Sequence, residues 1–146
     1  MTQSVAHATM RYRPALGGVE RYLEELARRG AAKGYDVRIH TTDFQTWGLG
    51  VRPQRLPESV PRFEEGPPRV SRHRALVIGG GRYAVSASMA SALLREDAEV
   101  FHAHYYGHAP ADLAVMSARL KRRPLVVNAY MAFDELGSPL ARLHAR

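Results

Sequence analysis

Ser4-Val5-Ala6-His7-Ala8-Thr9, followed by Met10 to Leu16 and then Gly17-Gly18-Val19-Glu20-Arg21-Tyr22-Leu23-Glu24-Glu25-Leu26-Ala27, decides the fold. The first six residues are small or apolar and read as a short buried strand. Pro14 and the paired glycines punctuate the loop after it. From Val19 to about Lys33, Val19, Tyr22, Leu23, Leu26 and Gly30 recur at the spacing of one helix face. Glu20, Glu24 and Glu25 lie early and Arg28, Arg29 and Lys33 late, which suits the helix dipole. Gly34 is the natural stop.

Working outward, Asp36 to Thr42 is β-branched and reads as a second strand. Residues 43–68 hold five of the nine prolines and read as an irregular Pro/Arg-rich insertion, longer than a compact domain usually tolerates. Beyond it come a strand over Val70–Ile78, a helix over Ser86–Arg95 with Ser86 as N-cap, and a strand over Glu99–His104. A helix over Ala109–Leu120 and a buried strand over Pro124–Asn128 follow, and the tail from Asp134 is weakly helical. Strands and helices alternate, which predicts an α/β domain: a Rossmann-like, doubly wound, mainly parallel sheet with helices on both faces. Ligands of such sheets sit at the C-terminal strand ends, here after Thr9, Thr42, Ile78, His104 and Asn128.

The 146 residues suffice for one domain. No apolar run spans a bilayer, and no basic leader precedes an apolar stretch. With no cysteine there is neither a disulfide framework nor a thiolate metal site. These features predict a cytoplasmic protein. The net charge of +7 favours anionic partners and is compatible with a peripheral location at the inner membrane face. Arg52, Arg55, Arg62, Arg69, Arg72 and Arg74 crowd one region, but no nucleic-acid motif accompanies them, and a solvated basic loop is the simpler reading.

Gly17-Gly18 at a helix entry lets backbone approach a ligand closely and leaves N–H groups to attract an anion; a plain structural turn is the alternative. The segment from Pro14 to Ala27, with Gly34-Tyr35-Asp36-Val37 after it, resembles the opening of the family 4 retaining glycosyltransferases. Asp97-Ala98-Glu99-Val100-Phe101-His102-Ala103-His104-Tyr105 is similar to that family's D-x-x-x-x-H-x-H strand. Arg123-Pro124-Leu125-Val126-Val127 is similar to its R-P-L-V-V-T strand. The three matches fall in the family's order and span nearly the whole chain outside the Pro/Arg-rich stretch.

The resemblance implies the N-terminal, acceptor-side half of a GT-B fold over residues 1–146, with the donor-binding C-terminal domain absent. It implies transfer of a sugar from a nucleotide-sugar co-substrate to an acceptor with retention, of the hexosyltransferase type, without another cofactor and with little activity from this chain alone. The excess positive charge fits a phosphorylated or membrane-bound acceptor. Gly17 and Gly18 would lie against the diphosphate and acceptor, and His102, His104, Tyr105 and Asn128 would line the cleft. The family places a catalytic histidine in a T-x-H segment after the next strand; this chain has Asn128-Ala129-Tyr130, which sets Tyr130 at that position. Tyr titrates near pH ~10 and does not share protons as His does. No metal is expected, because His102 and His104 lack a third ligand with a defined place. The chain is expected to be an excised piece, a subunit that pairs with a donor-binding partner, or a gene remnant.

A rival reading lies in Gly79-Gly80-Gly81-Arg82-Tyr83-Ala84, which fits the G-x-G-x-x-A pattern of a dinucleotide-binding oxidoreductase. That pattern needs an acid at the end of the next strand, where this chain has His102-Ala103-His104.

Overall fold

The computed structural model describes residues 2–47, 51–78, 83–105 and 108–130. The glycine run at 79–81 and the tail from 131 lie outside them. The elements are β1 (Ser4–Thr9), α1 (Gly18–Ala32), β2 (Asp36–Thr42), β3 (Phe44–Thr46), β4 (Gln54–Arg55), β5 (Phe63–Glu64), β6 (Arg69–His73) and β7 (Leu76–Ile78). After these come β8 (Tyr83–Val85), α2 (Ala87–Arg95), β9 (Val100–His104), α3 (Ala109–Lys121) and β10 (Leu125–Asn128). The central sheet runs β10-β9-β1-β2-β6-β5; every pairing is parallel except β5 with β6.

Strand alternation gives the two faces different tasks. Ala6 and Ala8 of β1 and Phe101 and Ala103 of β9 point to α2 and α3, where they pack with Met89, Leu93, Ala111, Ala114 and Ala118. Alanines at the centre let both helices approach closely. On the other face, Val37, Ile39 and Val70 pack against Leu23 and Ala27 of α1 and against Tyr12. The doubly wound arrangement is therefore present, with α1 on one side and α2 and α3 on the other. Ser86 caps α2 as expected, its Oγ accepting from the Met89 N–H at 3.2 Å. Gly34 takes the left-handed backbone that ends α1.

Three local readings need correction. The buried side of α1 is Glu20, Leu23 and Ala27, whereas Tyr22 is 46% exposed, so the face is rotated from the one the apolar spacing suggests. The strand expected over Val70–Ile78 breaks after His73. There Asp43 accepts the Ala75 N–H at 3.1 Å and its own N–H reaches the His73 carbonyl at 3.0 Å, turning the chain out of the sheet. Leu76 to Ile78 then form a separate antiparallel hairpin with β8. β10 is not buried: it ends the sheet among the described residues, with Val126 and Val127 exposed.

The insertion at 43–68 is more ordered than its prolines suggest. It carries β3, β4 and β5, and it takes the place of a crossover helix between β2 and β6. Its anchor is the buried Arg72. One guanidinium nitrogen donates to the Pro61 carbonyl at 2.8 Å; another donates to the Arg13 carbonyl at 2.9 Å and pairs with Glu64 at 2.6 Å. Arg55 holds the near end, pairing with Asp43 and donating to the Ala75 carbonyl at 2.7 Å.

A hydrogen-bonded polar chain replaces apolar packing between β2, β6 and α2. Glu96 pairs with Arg38 and with His40 Nε2 at 2.9 Å. His40 Nδ1 meets His73 Nε2 at 3.1 Å, and His73 Nδ1 meets Ser88 Oγ at 3.3 Å. Burial, with His40 beside it, holds His73 down at about 4.

Candidate functional site

The strand order turns at β1: the chain moves outward through β2 to β6, then returns through α2 to β9 on β1's other side. Such a reversal opens a crevice at the strand ends, the usual ligand position of this architecture. His7 of β1 lies opposite His102 of β9 in the parallel register, and His104 lies two residues further on the same face. His7 Nδ1 and His104 Nε2 share a hydrogen bond of 3.0 Å, and the His102 and His104 rings stack with centroids 4.2 Å apart. The buried Nε2 of His102 has no hydrogen-bond partner.

These histidines sit between the two helix layers, on the face that α1 only partly covers. Burial is the main cause holding all three below the ordinary histidine range, aided at His7 by His104 and His102 and at His104 by His102. His104 falls to about 3. At His102 the Asn128 amide opposes the shift, although no well-directed bond reaches the buried Nε2. The cluster is therefore neutral at physiological pH.

Asn128 and Tyr130 continue the site from the end of β10. The Asn128 amide donates to the Tyr130 hydroxyl at 2.9 Å, and that hydroxyl lies 3.3 Å from His104 Nδ1. The Tyr22 ring of α1 approaches both His104 and Tyr130 edge-on, at 6.4 and 5.9 Å. Tyr105 packs on Tyr130 at 5.6 Å and keeps a left-handed backbone at φ 70°, unusual for a bulky residue and anchored by its N–H bond to the Asn128 carbonyl at 3.1 Å. Burial raises the pKa of Tyr105 and of Tyr130, so both phenols stay protonated and able to donate.

The structure thus brings His102, His104, Tyr105, Asn128 and Tyr130 into one place, and it adds two residues that the sequence reading missed. Tyr22 reads in the sequence only as one of the residues spaced along a face of α1. His7 was visible only as the one imidazole in an otherwise small, apolar strand, because its partners come from a strand nearly a hundred residues away. His7 supplies the third imidazole that His102 and His104 were expected to lack, with ligand atoms of all three within 4.8 Å of one another.

Gly17 and Gly18 form the entry to α1. Gly17 is the N-cap and supplies no side-chain cap, which leaves first-turn N–H groups for a ligand. Part of that positive end is already met from inside: the buried Glu20 carboxylate lies under the loop, paired with Arg11 at 2.8 Å but with neither oxygen in a well-directed hydrogen bond. A Cβ at Gly17 would stand 2.1 Å from Glu20 Oε2, whereas one at Gly18 would meet nothing within 4 Å. The two glycines therefore predict opposite outcomes. Gly17→Ala must displace the Arg11–Glu20 pair and is expected to cost roughly 1–3 kcal/mol. Gly18→Ala, at a helical position in open space, is expected to stabilise by about 0.5 kcal/mol. Urea denaturation of the two variants checks the signs; equal shifts would mean that Glu20 gives way freely.

The rival dinucleotide pattern loses its setting. Its glycines at 79–81 lie outside the described residues, and β7, the strand feeding them, belongs to the separate hairpin with β8 rather than to the parallel sheet. A Rossmann fingerprint needs its strand inside that sheet.

Among the described residues no helix is long and apolar enough to cross a membrane. No curated protein matches the chain. The family model for the glycosyl transferase 4-like domain matches residues 17–146, from the glycine pair through the His-x-His strand and β10 to the last residue. With that match laid over a Rossmann-like α/β sheet, the chain belongs to the glycosyl transferase 4-like domain family.

Proposed function

We propose that this domain forms the acceptor-side wall of a two-domain transferase that moves a sugar from a nucleotide-sugar donor to an acceptor with retention. The observation that carries the reading is the convergence of Tyr22, His104, Asn128 and Tyr130 at the C-terminal ends of β9 and β10, beside the uncapped entry of α1. Hydroxyl, amide and imidazole groups on aromatic walls suit a polyhydroxylated ligand, which needs many directional hydrogen bonds and flat apolar faces. First-turn N–H groups at Gly17-Gly18 suit the departing diphosphate, where fixed donors stabilise developing charge without reorganising. Tyr130, standing where the family has histidine, contacts the reacting sugar as a hydrogen-bond donor rather than as a proton shuttle. The donor's base and most of its phosphate contacts belong to a second α/β domain, supplied on the same polypeptide or by a partner subunit. The basic surface suits a phosphorylated or membrane-bound acceptor at the cytoplasmic face.

The test is release of nucleoside diphosphate from a panel of nucleotide sugars. The 146-residue chain alone is expected to show no donor-dependent turnover. Joined to a family donor domain it is expected to turn over, with Tyr130→Phe and Asn128→Ala each lowering kcat by about tenfold or more. Turnover by the isolated chain would overturn the two-domain reading, and unchanged kcat in both variants would remove this wall from the reaction.

A further inference from the structure

We infer that His7, His102 and His104 form a binding site for a divalent transition-metal ion of the zinc and cobalt class. The inference is independent of the transferase reading, because it concerns binding and requires no turnover.

Adjacent parallel strands lie about 4.8 Å apart, and residues two apart on one strand share a face. His7 opposite His102, with His104 two positions along, therefore presents three imidazoles on one small patch of sheet. Their ligand atoms all lie within 4.8 Å of one another, and the His7–His104 edge is 3.0 Å. Tetrahedral zinc with nitrogen ligands at 2.0–2.1 Å separates those nitrogens by roughly 3.3 Å, so closing the site needs ring movements on the order of an ångström.

The cluster also has more nitrogen than it uses. A single hydrogen bond accounts for His7 Nδ1 and His104 Nε2, and the buried Nε2 of His102 has no hydrogen-bond partner. A buried ring nitrogen without a well-directed bond calls for an explanation, and a shared cation answers it. The outer layer has the form that ligating histidines usually have. His104 turns its remaining Nδ1 to the Tyr130 hydroxyl at 3.3 Å, and that hydroxyl is held by Asn128 at 2.9 Å. His7 and His104 are buried and His102 is half-buried, so the three imidazoles are largely withdrawn from water. Three imidazoles without a carboxylate or thiolate select borderline metals over magnesium or calcium, and three protein ligands leave one position for water or a substrate oxygen.

The experiment is titration of the tag-free chain, stripped with chelator, using Co2+ followed by Zn2+. The expected result is one equivalent of Co2+ with the intense visible absorption of low-coordinate cobalt, bleached by one equivalent of Zn2+, and a zinc-dependent rise in Tm. His102→Ala loses no hydrogen bond to the other two histidines and should keep the wild-type circular dichroism. It is expected to abolish the absorption and the zinc-dependent Tm rise. Tyr130→Phe, which leaves all three ligands, is expected to weaken Co2+ about tenfold. Absence of the visible band, or binding whose stoichiometry and affinity are the same in His102→Ala, would overturn the site; the second result would place the ion on surface histidines.

Discussion

At pH 4.5 the domain is expected to be several kcal/mol less stable than at pH 7, with histidines as the cause. His104 titrates at about 3 and His73 at about 4 in the folded protein, each from an ordinary 6.5. Below pH 6.5 the unfolded chain takes up protons that these buried rings refuse, so acid favours unfolding. Their contribution is complete above pH 6.5 and is lost as the pH falls towards 4 for His73 and towards 3 for His104. Each pH unit in that window removes about 1.4 kcal/mol per ring. Discounted for partly open sides, the pair loses about 4 kcal/mol by pH 4.5, a large share of the 5–15 kcal/mol typical of a domain. His7, also depressed, acts in the same direction, while the depressed carboxyls of Asp36 and Glu96 matter only at still lower pH. Urea midpoints at the two pH values, measured with chelator present, check this, and His73→Gln should flatten part of the slope. A midpoint indifferent to pH between 7 and 4.5 would show that the rings are hydrated rather than buried.

Arg72→Ala is expected to cost about 3 kcal/mol, at the lower end of the range for breaking a buried ion pair, because Glu64 keeps some water. The loss exceeds that of an ordinary surface arginine because the Pro61 and Arg13 carbonyls lose their donor together with Glu64. Arg72→Lys is not expected to rescue the protein: a single ammonium cannot reproduce a planar fork directed at three acceptors. Chemical denaturation gives the magnitude. Limited proteolysis gives the location, with new cleavage expected within residues 51–68 before any cut in α1 or α3. Cleavage spread evenly over the chain would mean that Arg72 supports the sheet rather than the insertion.

Much of this architecture is legible in the sequence, because strands and helices alternate along the chain and α2 carries its own N-cap at Ser86. The insertion was not, since its order comes from a guanidinium at Arg72 whose acceptors lie at Arg13, Pro61 and Glu64. A proline-rich stretch with no hydrophobic period gives no hint that a distant cation fixes it. Glu20 shows the opposite error. Its place in the first turn suits the helix dipole, yet the side chain is buried and serves as the floor beneath Gly17. At the candidate site, position and family resemblance single out His102 and His104 in β9, Asn128 in β10, and Tyr105 and Tyr130 after them, and the structure places these side chains together. His7 and Tyr22 are not singled out, because one depends on register between strands and the other on the rotation of a helix about its axis.

The wide separation of β1's two partners bears on how the chain folds as it is made. β1 can pair with β2 once Thr42 has been synthesised, but its other edge waits for β9, which begins at Val100. Until then the strand that will occupy the middle of the sheet has an open edge, lined by the backbone around His7, and open edges invite pairing with other chains. Contacts this distant in sequence also slow folding, since the loop between them must close before the pairing is rewarded. A nascent chain halted before β9 should therefore be more prone to aggregate than one released after it, although both already contain the complete β1–α1–β2 unit.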